Sequence, residues 1–212
     1  MSRAYRGDMD TDDELRTELL RRVEIDQVAR KAADLDGVRE ADGENLPWLK
    51  GVVAGHGWPG ASLVGTEGAH AAWLLAQHAD ADPAFQRQCL DLLTAAVEAG
   101  EATKRELAYL TDRVLLAEGE PQVFGTQVTR KDGRMVPLDV RDPDGLDERR
   151  AAAGLEPFAE YARLFDHPPR QGPKLKCPGC GAWASFERPA DGESVTVTCP
   201  ECALETTVRL KR

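Results

Sequence analysis

Four cysteines near the carboxyl end of the chain occur as two Cys-x-x-Cys pairs, the spacing typical of a metal site. Cys177 and Cys180 form the first pair, and Cys199 and Cys202 form the second after eighteen intervening residues. Four thiolates complete a tetrahedron around one ion and leave no open position. The pattern predicts a structural zinc site, with iron as the alternative metal because tetrahedral thiolate sites accept both. The fifth cysteine, Cys89, lies among apolar helical residues and is expected to be a buried thiol.

Histidines in the larger amino-terminal part supply a second set of groups that could do chemistry. His78 follows Gln77 at the end of an apolar stretch that contains Trp73, and His56 lies beside Trp58 among glycines. Polar groups on an apolar helix are costly to bury without partners, so their presence favours a functional site. We expect His78 or His56 to act as a general base. The competing interpretations are a tight turn at His56 and internally satisfied core polar groups near His78.

An Asp-Arg pair interrupts a later apolar helix. Asp112 would position the histidine base, and Arg113, with Arg149 on a further helix, would hold an anionic group, since guanidinium pairs with carboxylate or phosphate. The remaining ligand-binding candidates lie in an extended stretch between them and are Gln122, Thr126 and Gln127. Structural alternatives remain open here too: a buried ion pair for the Asp-Arg pair and an edge strand for the extended stretch.

The elements that must position these residues are mainly helical. Apolar spacing and capping signals predict five longer helices, at about 14–35, 43–54, 67–79, 83–99 and 103–118. An Asp-Gly turn predicts a hairpin at 128–136, and two short helices follow at about 146–153 and 157–164. The expected fold class is mainly α: a multi-helix domain with a small β-hairpin, plus a small carboxyl-terminal β zinc ribbon.

Composition divides the chain into four segments. Residues 1–13 are polar and predicted to be a disordered leader, and 14–165 form the helical domain. Prolines and glycine mark 166–176 as a linker, and 177–212 form the zinc ribbon. A ribbon of this size cannot bury an adequate core alone, so metal binding is expected to supply folding energy.

The charge distribution bears on the partners. The net charge is −10, and the first 173 residues carry 21 basic and 32 acidic residues. This argues against nucleic acid as a partner, because phosphate neutralisation needs a basic face. No apolar run approaches the ~20 residues of a membrane span, and the amino terminus is unlike a signal peptide. We therefore expect a cytoplasmic protein with no membrane partner, whose cysteines bind metal rather than form disulfides.

Short segments along the helical part resemble, in order, those of the bacterial domain-of-unknown-function family 6624 (DUF6624). The segments are Asp-Gly-Glu-Asn at 42–45, Gly-Trp-Pro at 57–59, Leu-Val-Gly at 63–65, Ala-Ala-Trp at 71–73, Gln-His-Ala-Asp at 77–80, Asp-Arg-Val at 112–114, Pro-Gln at 121–122, Gly-Thr-Gln at 125–127, Arg-Arg at 149–150 and Gly-Leu-Glu-Pro at 154–157. The family commonly has tyrosine where this chain has Phe124, and the ribbon is an addition to its pattern. The resemblance covers about 15–164 and implies a shared site without naming an activity.

Three functions compete. The first is a pocket for a small anionic or peptide-like ligand, with hydrolysis or group transfer as the fitting reaction. The second is a non-enzymatic protein-interaction module in which the ribbon makes a further protein contact. The third is a catalytic metal site built on histidines, which the spacing disfavours because His70 and His78 are eight residues apart. A convergent polar cleft would favour the first, and side chains bonded to backbone carbonyls would favour the second.

Overall fold

The computed structural model describes residues 11–165, 174–185, 194–199 and 201–209. They belong to two compact units, Met1–Ala162 and Arg163–Arg212. Most of the predicted leader (1–10) and most of the predicted linker (166–173) lie outside the described residues. Within the described ranges, no helix has the length and apolar character that crossing a bilayer requires.

The first unit is mainly helical, as predicted. Its five longer helices are α1 (Asp13–Ala32), α2 (Leu35–His56), α3 (Ala61–Gln77), α4 (Pro83–Glu98) and α5 (Lys104–Ala117). Each amino terminus except that of α3 is capped by a side chain, and α5 has a complete capping box in which Thr103 and Glu106 exchange bonds. The capping signals in the sequence therefore located the starts of α1, α4 and α5, whereas α2 begins at Leu35 and not at about 43.

The turn between α1 and α2 differs from the prediction. The first helix ends at Ala32, Ala33 adopts a left-handed conformation with φ 54°, and the Asp34 carboxylate accepts a bond from the Gly37 amide. Residues 36–37 therefore lie in the first turn of α2 rather than ending α1. An Asp-Gly pair suits either position, so the sequence did not distinguish them.

The other end of α2 also differs, since the helix continues through His56, where the sequence indicated a loop from residue 55. Gly57 ends it with φ 73°. Within α3, Gly65 has φ 71° and interrupts the helical geometry, so the regular helix follows this break and contains both Trp73 and Gln77. A left-handed φ is readily adopted only by glycine, which explains the residue at this position.

The core of the first unit lies between α1, α2, α3, α4 and α5. Leu19, Val64, Leu93 and Leu110 are fully buried within it. Cys89 belongs to the same cluster, and burial raises its pKa to about 12, which confirms the expected inert core thiol.

Smaller elements follow α5. Strands β1 (Val128–Lys131) and β2 (Arg134–Pro137) form the predicted antiparallel hairpin around Asp-Gly at 132–133. After a 3-10 turn at Pro143–Gly145 come α6 (Leu146–Ala152) and α7 (Phe158–Arg163).

The described residues of the second unit form two hairpins. Strand β3 (Lys174–Lys176) pairs with β4 (Trp183–Ser185), and β5 (Ser194–Thr198) pairs with β6 (Glu205–Arg209). Because β3 falls within the predicted linker, the strand pairing of the ribbon begins three residues before the expected boundary at 177. Each hairpin has one cysteine pair at its turn, so the fold presents the pairs as two similar knuckles.

Candidate functional site

The four ribbon cysteines converge. Their sulfur atoms all lie within 4.8 Å of one another, with Cys177 3.6 Å from Cys202 and Cys180 3.5 Å from Cys199. Disulfide sulfurs would be about 2.05 Å apart, whereas a tetrahedron with ~2.3 Å zinc–sulfur bonds has edges of about 3.8 Å. The spacing therefore fits four thiolates around one ion.

The two knuckles have the same backbone design. The Cys177 amide donates to the carbonyl of Ala182, and the Cys199 amide donates to the carbonyl of Leu204. Each cysteine carbonyl in turn accepts from the amide four residues on, at positions 181 and 203, and both of these residues have positive φ. The repeated geometry explains why two short local motifs can face a single ion.

Charge within the cysteine cluster favours a bound cation. Amides of Cys180 and Gly179 donate to the Cys177 sulfur and hold its pKa at about 6. Cys202 receives an amide bond from Leu204, yet its neighbouring sulfurs raise its pKa to about 12. Four thiolates repel one another, and a divalent ion would relieve this repulsion.

Asp112 holds a loop and does not position a histidine. Its fully buried carboxylate accepts three amide bonds, from Val123 (2.7 Å), Phe124 (2.9 Å) and Thr126 (2.8 Å). Both carboxylate oxygens are occupied by this loop. Asp112 is therefore not the partner of His78 that the sequence predicted, because its carboxylate is hydrogen-bonded to the loop at 123–126.

The predicted ligand residues of the extended stretch are mostly bonded to backbone. The fully buried Gln122 donates to the carbonyls of Gln127 and Leu138 and accepts from the Gln127 amide. The Thr126 carbonyl accepts from the Tyr161 hydroxyl, and the Gln127 side chain donates to the Thr126 hydroxyl. These amides close a loop rather than line an open pocket.

Two adjacent arginines complete this loop. Arg149 donates to the carbonyls of Val123, Arg141 and Asp142, so its guanidinium is committed to backbone. Arg150, which was not among the predicted ligand-binding residues, is fully buried and donates to the Phe124 carbonyl. In the loop at 123–126, backbone amides therefore donate to the Asp112 carboxylate, and backbone carbonyls accept from the guanidinium groups of Arg149 and Arg150.

Gln77 and Arg113 contact each other directly. The Arg113 Nε donates to the Gln77 side-chain oxygen at 3.0 Å, and its Nη1 pairs with Asp80 at 2.8 Å. The buried Gln86 donates to Asp80 and to the backbone carbonyl of Gln77. This cluster ties α3, α4 and α5 together at one end of the helical domain.

A further polar cluster surrounds His78, just after α3. Its Nδ1 lies 2.9 Å from Oδ2 of Asp26, a fully buried carboxylate on α1, at an angle that departs from a hydrogen bond. Gln27 donates to the same oxygen at 2.9 Å, and Arg30 pairs with Oδ1 at 2.8 Å. Arg30 also pairs with Asp42 on α2. Asp26, and not Asp112, is therefore the carboxylate that faces His78.

Asp26 could have been noticed from the sequence. It follows Leu19 by seven residues and so occupies the buried face of the same helix, where a leucine would be ordinary. A carboxylate in such a position must be paired or bonded, which marks it as a candidate for the site.

Asp26, Asp42 and His78 are also arranged as a cation site could be. Ligand atoms of Asp26, Asp42 and His78 lie within 4.8 Å of one another. Arg30 already pairs with both carboxylates and supplies the positive charge that an ion would bring. Arg30 therefore disfavours a bound cation at this position.

The other predicted aromatic and histidine residues lie apart from His78. His56 is exposed at the end of α2, and it lines a groove of about 390 Å³ with Trp58. Trp73 donates to the Glu106 carbonyl at 2.8 Å and contacts His70, which lies 3.0 Å from the Glu106 carboxylate. Since each of these groups has its own surroundings, the predicted site residues do not form one pocket.

Asp26 should make the stability of the protein depend on pH. Burial alone would raise its pKa, but the contacts with His78, Gln27 and Arg30 hold that pKa below its ordinary value of 3.8. The ionised carboxylate therefore stabilises the folded state above about pH 4, and this contribution is lost as pH falls through the lowered pKa.

We expect Asp26→Asn to reduce the free energy of unfolding by about 3–5 kcal/mol at pH 7 and by clearly less near pH 3. Urea denaturation of the full chain at both values measures this, with exposed Asp91→Asn as the control. An equal loss at both pH values would contradict the assigned role.

The fold and these clusters define a helical domain joined to a four-cysteine ribbon able to hold a metal ion. The chain belongs to the DUF6624 family, described as a family of unknown function, whose model matches residues 12–169. The match confirms the resemblance seen in the short segments, and the ribbon cysteines lie beyond it. No curated protein and no solved structure matches the chain.

Proposed function

We propose that the helical domain is an acid–base site in which His78 accepts a proton from a bound substrate or water. The observation that carries the proposal is the 2.9 Å approach of His78 Nδ1 to the buried Asp26 carboxylate. A carboxylate that contacts one ring nitrogen fixes the orientation of the imidazole. The other ring nitrogen is then available to accept the proton. A small rotation would align the pair, as is common when a substrate binds.

The two carboxylates beside His78 differ in protonation behaviour. The contacts of Asp26 lower its pKa, whereas burial raises the pKa of Asp42 despite its pairing with Arg30. Adjacent groups whose pKa values are pushed apart suit separate acid and base roles. Hydrolysis or group transfer is the class of reaction that such a set supports.

The substrate is better sought among neutral or peptide-like compounds than among anions. The anion-binding role predicted for Arg113 and Arg149 has no support, because Asp80, Gln77 and backbone carbonyls already engage both guanidinium groups. Two carboxylates, Asp26 and Asp42, face the single guanidinium of Arg30 beside His78, and the excess of negative charge would repel an anionic ligand.

A panel of chromogenic esters and aminoacyl anilides, with phosphate esters as the anionic comparison, tests the proposal on the full chain. For any substrate turned over, His78→Gln is expected to lower kcat/KM by about 10²–10⁴-fold, the usual contribution of a general base. His70→Gln is the matched control, since its Nδ1 also lies about 3.0 Å from a carboxylate but its side chain is 57% exposed. Retained turnover in His78→Gln would refute the proposal.

A non-enzymatic interaction module is the second candidate. It is favoured by the backbone bonds of Gln122 and Arg149 and by the amide bonds of Asp112, which give these predicted site residues a structural role. The ribbon would then make a further protein contact. Failure of the whole panel, with wild type and His78→Gln alike inactive, would favour this candidate.

For the ribbon, zinc is the proposed metal and its role is structural. Four sulfur ligands leave no coordination position for a substrate. A reducing cytoplasm would keep the four cysteines available as thiolates.

A further inference from the structure

A groove runs between the first two helices of the helical domain. It has a volume of about 580 Å³, and the buried Ala29 and Ala41 lie at its base. Ile25 and Val28 line it with side chains that are 49% and 61% exposed. Apolar side chains held in solvent beside a groove commonly mark a binding surface.

The charged residues that line this groove all have the same sign. They are Glu24, Asp34, Glu40 and Glu44, and no lysine, arginine or histidine lines the groove. The groove therefore combines an apolar base with a purely acidic rim, which favours a partner of opposite charge.

Among the residues that the structure describes, the rim glutamates lack the arginine partners that several other glutamates of the domain have. Glu18, Glu67 and Glu118 each pair with an arginine. By contrast, no ion pair within the described ranges involves Glu24, Glu40 or Glu44. The groove thus carries negative charge that no ion pair of these three glutamates neutralises in the described part of the chain.

We propose that the groove between α1 and α2 is a docking surface for a cationic amphipathic helix of a partner protein. Leucine-like side chains would pack on Ile25 and Val28, and lysines or arginines flanking them would meet the acidic rim. A second copy of this chain fits poorly, because a two-fold contact would place one acidic rim against the other. Anionic lipid is excluded by the same repulsion.

The surface does not depend on catalysis by His78, and its test measures binding alone. The probe is a fluorescein-labelled helical peptide of leucine, alanine and lysine with leucine at helical spacing. Two comparison peptides are used: one with glutamate replacing lysine, and one with the same composition in scrambled order. Fluorescence anisotropy is recorded with the full chain at about 0.15 M salt, where long-range attraction is screened.

We expect saturable binding of the cationic amphipathic peptide only. Neutralising the rim by Glu24→Gln, Glu40→Gln and Glu44→Gln together should weaken it about tenfold, since each exposed ion pair contributes a factor of about 1.4–5. The matched control changes three exposed glutamates that line no part of the groove, Glu98→Gln, Glu148→Gln and Glu160→Gln, and should alter binding less than about twofold.

A second variant tests the exposed apolar side chains that line the groove. Val28→Ser alters an exposed side chain, so the fold should persist, and the peptide should bind several-fold more weakly. Equal weakening by the rim and control triples, equal binding of the scrambled peptide, or no saturable binding to wild type would each overturn the proposal. Self-association of wild type that Val28→Ser abolishes would also overturn it, in favour of a second copy.

Discussion

Replacing Cys199 by serine is expected to abolish metal binding by the ribbon and to unfold its two hairpins. In the described part of the ribbon, only Cys177, Ala184, Val197 and Cys199 are buried. Isolated two-stranded hairpins are marginally stable, so this small core cannot hold them. Structural zinc binding supplies about 10–16 kcal/mol in small domains, and loss of one ligand removes most of that energy.

Elemental analysis of the purified full chain and amide NMR measure this outcome. Wild type should contain about one equivalent of zinc. The amide resonances of Val195 and Val208, which pair across β5 and β6, should be dispersed in wild type and should collapse in Cys199→Ser. Cys89→Ala is the control, because it removes a thiol buried in the helical core. If Cys199→Ser retains one full equivalent of metal and intact strand resonances, the four-cysteine metal site is wrongly assigned. If the wild type shows the absorption spectrum of thiolate-bound iron, the metal is iron and not zinc.

Asp112→Ala should strongly destabilise the helical domain. It leaves the amides of Val123, Phe124 and Thr126 without their acceptor in a buried position. Each unsatisfied buried donor costs about 1–3 kcal/mol, part of which water entering the new cavity offsets. We expect the free energy of unfolding to fall by about 3–5 kcal/mol, a large share of the stability of an ordinary domain.

Urea denaturation of the full chain followed by circular dichroism at a helix-sensitive wavelength measures the effect. Asp112→Asn keeps one acceptor oxygen and should lie between Asp112→Ala and wild type. Asp91→Ala, at an exposed position of α4, should change stability by less than about 0.5 kcal/mol. If Asp112→Ala and Asp91→Ala have the same free energy of unfolding in urea, the Asp112 carboxylate does not stabilise the loop at 123–126.

The sequence alone determined the features that depend on near neighbours. The two Cys-x-x-Cys pairs identified the four-cysteine site of the ribbon, because within each pair the backbone turns so that both sulfurs can face one ion. Helix caps at Asp82 and Thr103 fixed the starts of α4 and α5, since each cap bonds an amide three residues away. The Asp-Gly turn likewise specified the β1–β2 hairpin.

Tertiary structure alone decided which distant polar groups meet. Asp26 and His78 are far apart in sequence and approach because α1 packs on α3, while the loop after α5 captures Asp112. Nor did the sequence show that Arg150 is buried while its neighbour Arg149 stays partly exposed. Residue type shows that a buried charge needs a partner, but the choice of partner depends on helix packing and rotation, which no local pattern encodes.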